Sequence, residues 1–587
     1  MRHARMGMVC CALGAGLLVA LAGCPAPPGG GGNQNTPPAG NNNTNTNTNG
    51  GVAPCPLDGD PLNVESVEAG RVQYEGRRCI NCHGFDGSGT VTFPGAPTVQ
   101  GRTACDIAAA LIEACDDSTP QGAGSIQCRH PIKMPDLSDP QLTDLEAYIE
   151  TLVPLVPEDP GPPCTDTSGE ICTIVGNGVQ GTNRQTVMAR RARLFWPQNV
   201  DLDPQGRLVV TDWNNYLIRR VENTGCAPAE DGGMDCPLRN IIGTGGLGDS
   251  CTSATTPILG TAALMNHPVG VLYDDFINGQ NNILLWGWHQ WKIKYIPVNA
   301  DGSTGEMYCL FGNARGTGAE NIEAGFGRVT NGQMTLFDLP SSCVYDNVGN
   351  FYISDQANLR IRIVEADDDD DNSSPAMFVQ SRLNNNIRTY AGGLRQDCGE
   401  AEPTNCDFRR TLPDYSDSGD GGPASECTFN CQFGFDAIPQ MRLDLDRDRN
   451  ILYVADSENN RIRVIDLNTG VIDLFAGGGT DVVADNVPAT QVQLNAPADV
   501  DIQPGTGNLL ITDTFNHCVR LVDISTDPPM IRTVAGECNP NPTNYYDGDG
   551  GPATMAHLQE PSGAYIAEDG TIYVADTLNH RVRRINP

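Results

Sequence analysis

Cys79-Ile80-Asn81-Cys82-His83 places two thiols three residues apart, with an imidazole directly behind the second. Thiols at that spacing can each add to one of the two vinyl groups of a haem. The neighbouring imidazole then reaches the iron from one side, fixed by the covalent links. Taken alone, the same five residues also fit a redox dithiol or a chance match. The element that must present them is a helix. Leu62 to Arg78 carries Val64, Val67, Val72 and Tyr74 among its apolar positions and runs straight into the motif.

Export is written into the N-terminus. Arg2, His3 and Arg5 precede an apolar stretch from Met6 to Ala22, too short for a comfortable membrane span. It ends in Leu21-Ala22-Gly23-Cys24, which resembles a bacterial lipobox. In that family the cysteine takes a lipid after cleavage, so Cys24 is the expected anchor and 1–23 the signal peptide. Residues 24–61 read as a tether. Pro25 to Gly51 is almost entirely Pro, Gly, Asn and Thr and cannot pack a core. Pro25 is not the aspartate that resembles an inner-membrane retention signal, so the expected place is the bacterial cell envelope, with the outer membrane favoured.

Setting aside Cys10, Cys11, Cys24, Cys79 and Cys82 leaves 17 of the 22 cysteines. In an exported chain most should pair, and the odd number implies at least one thiol. Cys226/Cys236, Cys398/Cys406 and Cys427/Cys431 are close pairs in loop-like sequence and are the expected staples. None has the paired spacing of a structural zinc site.

The flanks of the thiol motif carry a family likeness. Gly70-Arg71-Val72 and Tyr74 precede it, and Gly84, Asp86, Gly87 and Gly89 follow. Downstream come Ile132-Lys133-Met134-Pro135, Leu137-Ser138-Asp139 and a helical stretch from Leu142 to Leu152. Together these resemble a class I cytochrome c over 62–153. The likeness implies a small all-α domain with one covalent haem c on Cys79 and Cys82. It makes His83 the proximal axial ligand and Met134 the distal one, with His130 as the rival for that place. Met/His ligation raises the potential and closes the iron to small molecules, which suits one-electron outer-sphere transfer. Cys105, Cys115 and Cys128 fall in an insertion that suits a disulfide. The Pro-rich stretch in 154–170 reads as a stiff linker.

Six units follow over 171–587, opening at Pro197, Pro268, Pro340, Pro439, Pro497 and Pro561. Each holds four short alternating strands, the pattern of a propeller blade. A recurring triplet marks five of them: Asp212/Asn215/Arg219, Asp355/Asn358/Arg362, Asp456/Asn459/Arg463, Asp513/Asn516/Arg520 and Asp576/Asn579/Arg583. With the loops at 419–424 and 548–553, these units resemble the NHL-repeat family of six-bladed propellers. The last unit stops after its third strand, and Ile171 to Gly176 reads as its missing fourth. Fivefold recurrence points to a structural role for the triplet, with the aspartate on turn amides and the arginine paired to it.

The second unit breaks the pattern with Gly287, Gln290 and Lys294, and adds Trp286, Trp288, His289 and Trp291. Local repacking and a binding patch are both open readings. Asp367 to Asp371 lacks the alternate spacing of an EF-hand and reads as a solvated hairpin tip. His517 and His580 read as corresponding loop positions.

The net charge of −35 repels phosphates and excludes nucleic acid as a partner. The expected function is a lipid-anchored electron carrier with redox protein partners in the envelope. The propeller then serves as a scaffold for a protein or ligand on one face. The alternative is an oxidoreductase in which the propeller, holding a quinone cofactor or Ca2+, oxidises a small substrate and reduces the haem. A metal-dependent lactone hydrolase is a third possibility. No His/Asp/Arg cluster stands outside the repeat pattern to support catalysis.

Overall fold

The computed structural model describes residues 162, 164–165 and 167–587, apart from 183–185, 229–233, 252–256, 275–281, 317–318, 326–332, 393–418, 432–437 and 542–545. Cys24, Cys79, Cys82, His83, His130 and Met134 therefore lie outside the described residues, as does the pair Cys398/Cys406. The chain divides into two compact units, Met1–Asp86 with Thr90–Val156, and Gly87–Gly89 with Pro157–Pro587.

The second unit is a six-bladed β-propeller. Blade one comprises Pro197–Leu202, Leu208–Asp212, Leu217–Val221 and Pro237–Ile242, and blade two Pro268–Asp274, Asn282–Gly287, Lys292–Ile296 and Glu306–Phe311. Blade three is Pro340–Tyr345, Phe351–Asp355, Arg360–Val364 and Asn386–Gly392. Blade four is Leu443–Asp446, Ile451–Asp456, Arg461–Asp466 and Val471–Gly477. Blade five is Asp499–Ile502, Leu509–Asp513, Cys518–Asp523 and Met530–Ala535. Blade six has Gly563–Ile566, Ile572–Asp576 and Arg581–Ile585, completed by Glu170–Val175 from the start of the unit. A two-residue strand from the preceding loop adds a fifth, outer edge to every blade. The first strands of the six blades touch in cyclic order and line the axis.

Period-two alternation explains why the second strands are apolar throughout. Val209 packs toward blade two, whereas Val210 packs toward blade six. Tyr453 packs with blade five, while Leu452 and Val454 pack with blade three. Each sheet has a blade on both faces, so neither set of alternate residues meets water. The hairpins are turned by aspartate side chains. Asp203 Oδ1 accepts the amides of Gln205 at 3.0 Å and Arg207 at 2.9 Å, and Asp346 does the same for Val348 and Asn350.

The recurring triplet is a buried polar knot that joins the turn after strand two to strand three. Asp513 Oδ1 accepts the Asn495 amide at 2.8 Å; its Oδ2 accepts Asn516 Nδ2 at 2.9 Å and Arg520 Nε at 2.8 Å. Asp212, Asp456 and Asp576 hold equivalent partners: Phe195, Asn215 and Arg219; Asn430, Asn459 and Arg463; Gln559, Asn579 and Arg583. All five aspartates are fully buried, so each charge depends on these partners. The knot sets a short 3₁₀ turn ending in a left-handed residue, which in the last two blades is His517 at φ 57° and His580 at φ 53°.

Four expectations are corrected. In blade three, Arg360 rather than Arg362 bonds Asp355, at 3.0 Å, and Arg362 stands 4.0 Å away. In blade four the left-handed residue that precedes the opening proline elsewhere is Met441, so Arg442 takes the proline's place and Pro439 lies upstream of the strand. Cys427 and Cys431 do not bridge; both thiols are buried in the contact between blades three and four. Asp370 is drawn in from the solvated run to bond Arg382 at 2.7 Å, which ties the turn to the helix Pro375–Arg382. Among the described residues the disulfides are Cys164–Cys172, Cys226–Cys236, Cys251–Cys309 and Cys518–Cys538.

Arg442 closes the axis. Its guanidinium donates to Gln198 O of blade one at 3.0 Å and to Ser562 O of blade six at 2.9 Å, and pairs with Asp499 of blade five at 3.3 Å. One layer further along the first strands, Asp201, Asp444 and Asp501 stand close enough to repel one another. Asp444 and Asp501 accept the Ile502 and Ile566 amides of the next blades at 2.8 and 2.7 Å. Burial, and then neighbouring carboxylates, push Asp201 up to about 8 and Asp444 to about 6.

Two outcomes follow from these buried charges. Arg520→Met leaves Asp513 uncompensated and should cost about 3–5 kcal/mol in urea denaturation. Because the folded state holds the Asp201 proton more tightly than the unfolded chain, stability should fall as pH rises from the ordinary carboxylate range to about 8. Asp201→Asn should therefore raise the melting temperature at pH 8 and leave it unchanged near pH 4.

Candidate functional site

Blade two solves the loss of the triplet by exchanging sizes. With no side chain at Gly287, the longer Gln290 turns into the space an aspartate would fill; a Cβ on residue 287 would lie 2.5 Å from Gln290 Oε1. Gln290 Nε2 donates to Gly248 O at 2.8 Å and Asp249 Oδ1 at 3.2 Å, and its Oε1 accepts from Lys294 Nζ. Lys294 has no buried carboxylate beside it, and burial lowers its ammonium to about 7. Repacking thus accounts for the altered triplet, and for Trp286 and Trp288, which are buried.

The aromatic residues do more than fill space. The position before the opening proline and the position after the triplet aspartate come together, because Pro197 pairs with Asp212 and Pro268 with Gly287. In blades four and six the residue after the aspartate is small and polar, and it hydrogen-bonds the next blade. Ser457 Oγ donates to Pro497 O at 2.6 Å, and Thr577 Oγ1 to Pro197 O at 2.8 Å. In blades one and two the same position holds Trp213 and Trp288. Trp213 stacks on Trp196 at 5.7 Å between ring centres, and meets His267 at 4.7 Å and Trp288 at 5.6 Å. Trp288 in turn stacks on His289 at 5.0 Å.

Two histidines close this cluster. His267 and His289 face each other with their Nδ1 atoms 2.9 Å apart, and Asn266 Oδ1 lies 2.6 Å from His267 Nδ1. Burial and the neighbouring His289 hold His267 well below the ordinary imidazole range. Burial, with Arg315 adding to it, lowers His289 to about 4. Both rings are therefore neutral at pH 7, able to accept a proton or hold a ligand through a ring lone pair. The sequence reading singled out His289 and the tryptophans but passed over His267. Its signal was its place before Pro268, the counterpart of Trp196 before Pro197.

Among the described residues, no three His, Cys, Asp or Glu side chains converge as a metal site. The loops at 419–424 and 548–553 supply edge strands and a second carboxylate to the buried arginines, with Asp420 on Arg463 and Asp549 on Arg583, each at 2.6 Å. A polar cavity of about 390 Å³ at blade six is lined by Asp569, Thr571, Tyr573 and Arg584 among others.

Comparison with known proteins divides along the same boundary. The cytochrome c family matches residues 67–153, a span that holds Cys79, Cys82, His83 and Met134. The teneurin NHL domain matches 448–586, from the second strand of blade four to the end of blade six. The protein SUPPRESSOR OF QUENCHING 1 of Arabidopsis thaliana is 31% identical over 24% of this chain and 14% of its own length. NHL repeat-containing protein 2 of Bos taurus is 28% identical over 32% of this chain and 26% of its own. Teneurin-1 of Mus musculus is 30% identical over 29% and 7% respectively. The chain thus spans about a quarter or less of these relatives. Among solved structures, a protein of unknown function from Bacteroides thetaiotaomicron shares 12% identity at a TM-score of 0.42, over 71% of this chain and 75% of that one. The chain thus joins a segment matched by the cytochrome c family, a match that implies a covalent haem, to a six-bladed propeller whose last blades match an NHL domain.

Proposed function

We propose that the chain is a one-haem electron carrier tethered to the bacterial cell envelope by a lipid on Cys24. The observation that carries this reading is the Cys79-Ile80-Asn81-Cys82-His83 motif with Met134 downstream, both inside the span matched by the cytochrome c family. Cys79 and Cys82 would hold the haem through thioethers. His83 and Met134 would take the two axial positions. A bound haem supplies a reversible one-electron couple. Ligation by both side chains would leave no coordination site open for a substrate. The protein's part is then to hold the potential high, exclude small ligands and present the haem edge to a redox protein.

The propeller fits a scaffold for that partner. Its polar residues of recurring type are consumed in buried knots, and its axis is closed by Arg442. The chain's charge of −35 would favour a basic partner and would steer it at low salt. We place the protein in the outer membrane, on the residue that follows Cys24.

The test is to produce the mature chain with haem-maturation machinery and record its visible spectrum. One haem per chain is expected, together with loss of covalent attachment in Cys79→Ala and release from membranes in Cys24→Ser. Reduction of the haem by an alcohol or sugar, with or without added quinone, would replace the carrier reading with the oxidoreductase one. Met134→Ala should lower the reduction potential and open the iron to carbon monoxide or cyanide; an unchanged potential and spectrum would remove Met134 from the ligand set.

A further inference from the structure

Asn266 Oδ1, His267 Nδ1 and His289 Nδ1 form a cluster of lone pairs that can share only one proton. Placing hydrogens on both ring nitrogens would force two N–H groups together across 2.9 Å. Asn266 is oriented by its own amide nitrogen, which donates to His289 O at 3.5 Å and leaves its oxygen toward His267 at 2.6 Å. These three atoms lie on half-buried side chains at one end of blade two.

We propose that Asn266, His267 and His289 bind a single Cu(II) ion, with water completing its coordination. Imidazole nitrogens bond divalent ions at about 2.0–2.1 Å, so two of them 2.9 Å apart subtend an angle of about 90° at the metal. Tetrahedral zinc would spread the same nitrogens to about 3.3–3.4 Å. A right angle between cis imidazoles with an amide oxygen suits a tetragonal ion, and copper(II) is the divalent ion that nitrogen ligands hold most tightly. The guanidinium of Arg315 is the nearby unfavourable charge, and Asp338 offsets it at 2.9 Å. Trp213 and Trp288 pack on the two histidines at 4.7 and 5.0 Å, so an open-shell ion there would quench their emission.

The experiment uses the full haem-loaded chain, stripped with a chelator and titrated with copper(II) chloride while tryptophan emission is followed. The expected result is saturation at one equivalent with partial quenching, and electron paramagnetic resonance showing coupling to nitrogen. His267→Gln and His289→Gln should each weaken binding by about tenfold or more and relieve the quenching. His557→Gln, which removes a half-exposed imidazole flanked by Asp547 and Glu537, should change neither. Circular dichroism identifies any variant that fails to fold; the resonance spectrum of the unsubstituted protein then decides. Absence of nitrogen coupling, unchanged affinity in both folded variants, or loss of binding in His557→Gln would each overturn the proposal.

Discussion

Blade six has only three strands of its own, so the propeller has two open sheet edges until Glu170–Val175 pairs with Arg581–Ile585. Ile171 opposes Ile585 and Thr173 opposes Arg583 across that seam. Every other blade is made of consecutive hairpins whose partners lie near in sequence. This one pairing instead spans the whole unit and joins its two ends. Several contacts converge on it. Cys164–Cys172 ties the segment before the strand, and Asn586 Nδ2 donates to Thr165 O at 2.7 Å and Thr167 O at 2.9 Å. The same contact buries Ala575 and Val582 against Val175 and Val200, so closure also completes the core between the last and first blades.

Inside the closed ring, stability is tied to buried charge. Five aspartates and their arginines are removed from water, a cost met only because each carboxylate also receives a backbone amide and an asparagine side chain. The second carboxylates from Asp420, Asp549 and Glu320 share the positive charge of the arginines they meet. Where the aspartate is absent, at Gly287, the arginine is absent too, and a glutamine–lysine pair fills the volume. Ring stacking then takes over the contact between blades that a serine or threonine hydroxyl makes elsewhere. The aromatic cluster and its two histidines thus span blade one, which keeps the triplet, and blade two, which lacks it.

How much of this was legible depends on distance along the chain. The strands, their number and the triplet arise from local periodicity and spacing, which the residues display directly. The Cys79–His83 motif is equally local, because it is read from five consecutive residues. The exchange of Arg360 for Arg362 was not legible. Both arginines sit on the same strand, and Arg360, which bonds Asp355, also meets Glu320 in a loop 40 residues upstream. The thiols of Cys427 and Cys431 misled for a related reason: four residues of separation says nothing about whether two side chains point to one another. His267 escaped notice because its partner His289 is 22 residues away, brought close only by the register of Pro268 with Gly287.

By itself the sequence determined the Cys79–His83 motif and six repeated units of short alternating strands, since each is encoded in residues close enough to be read by spacing alone. Tertiary structure decided which charges meet. It placed Arg442 across the axis to bond blades one and six, and it crowded Asp201, Asp444 and Asp501 from three different blades. It also turned His267 and His289 face to face. Such contacts join residues whose separation in the chain is arbitrary. They appear only when the ring closes, because closure is what brings the first strand of every blade to one axis.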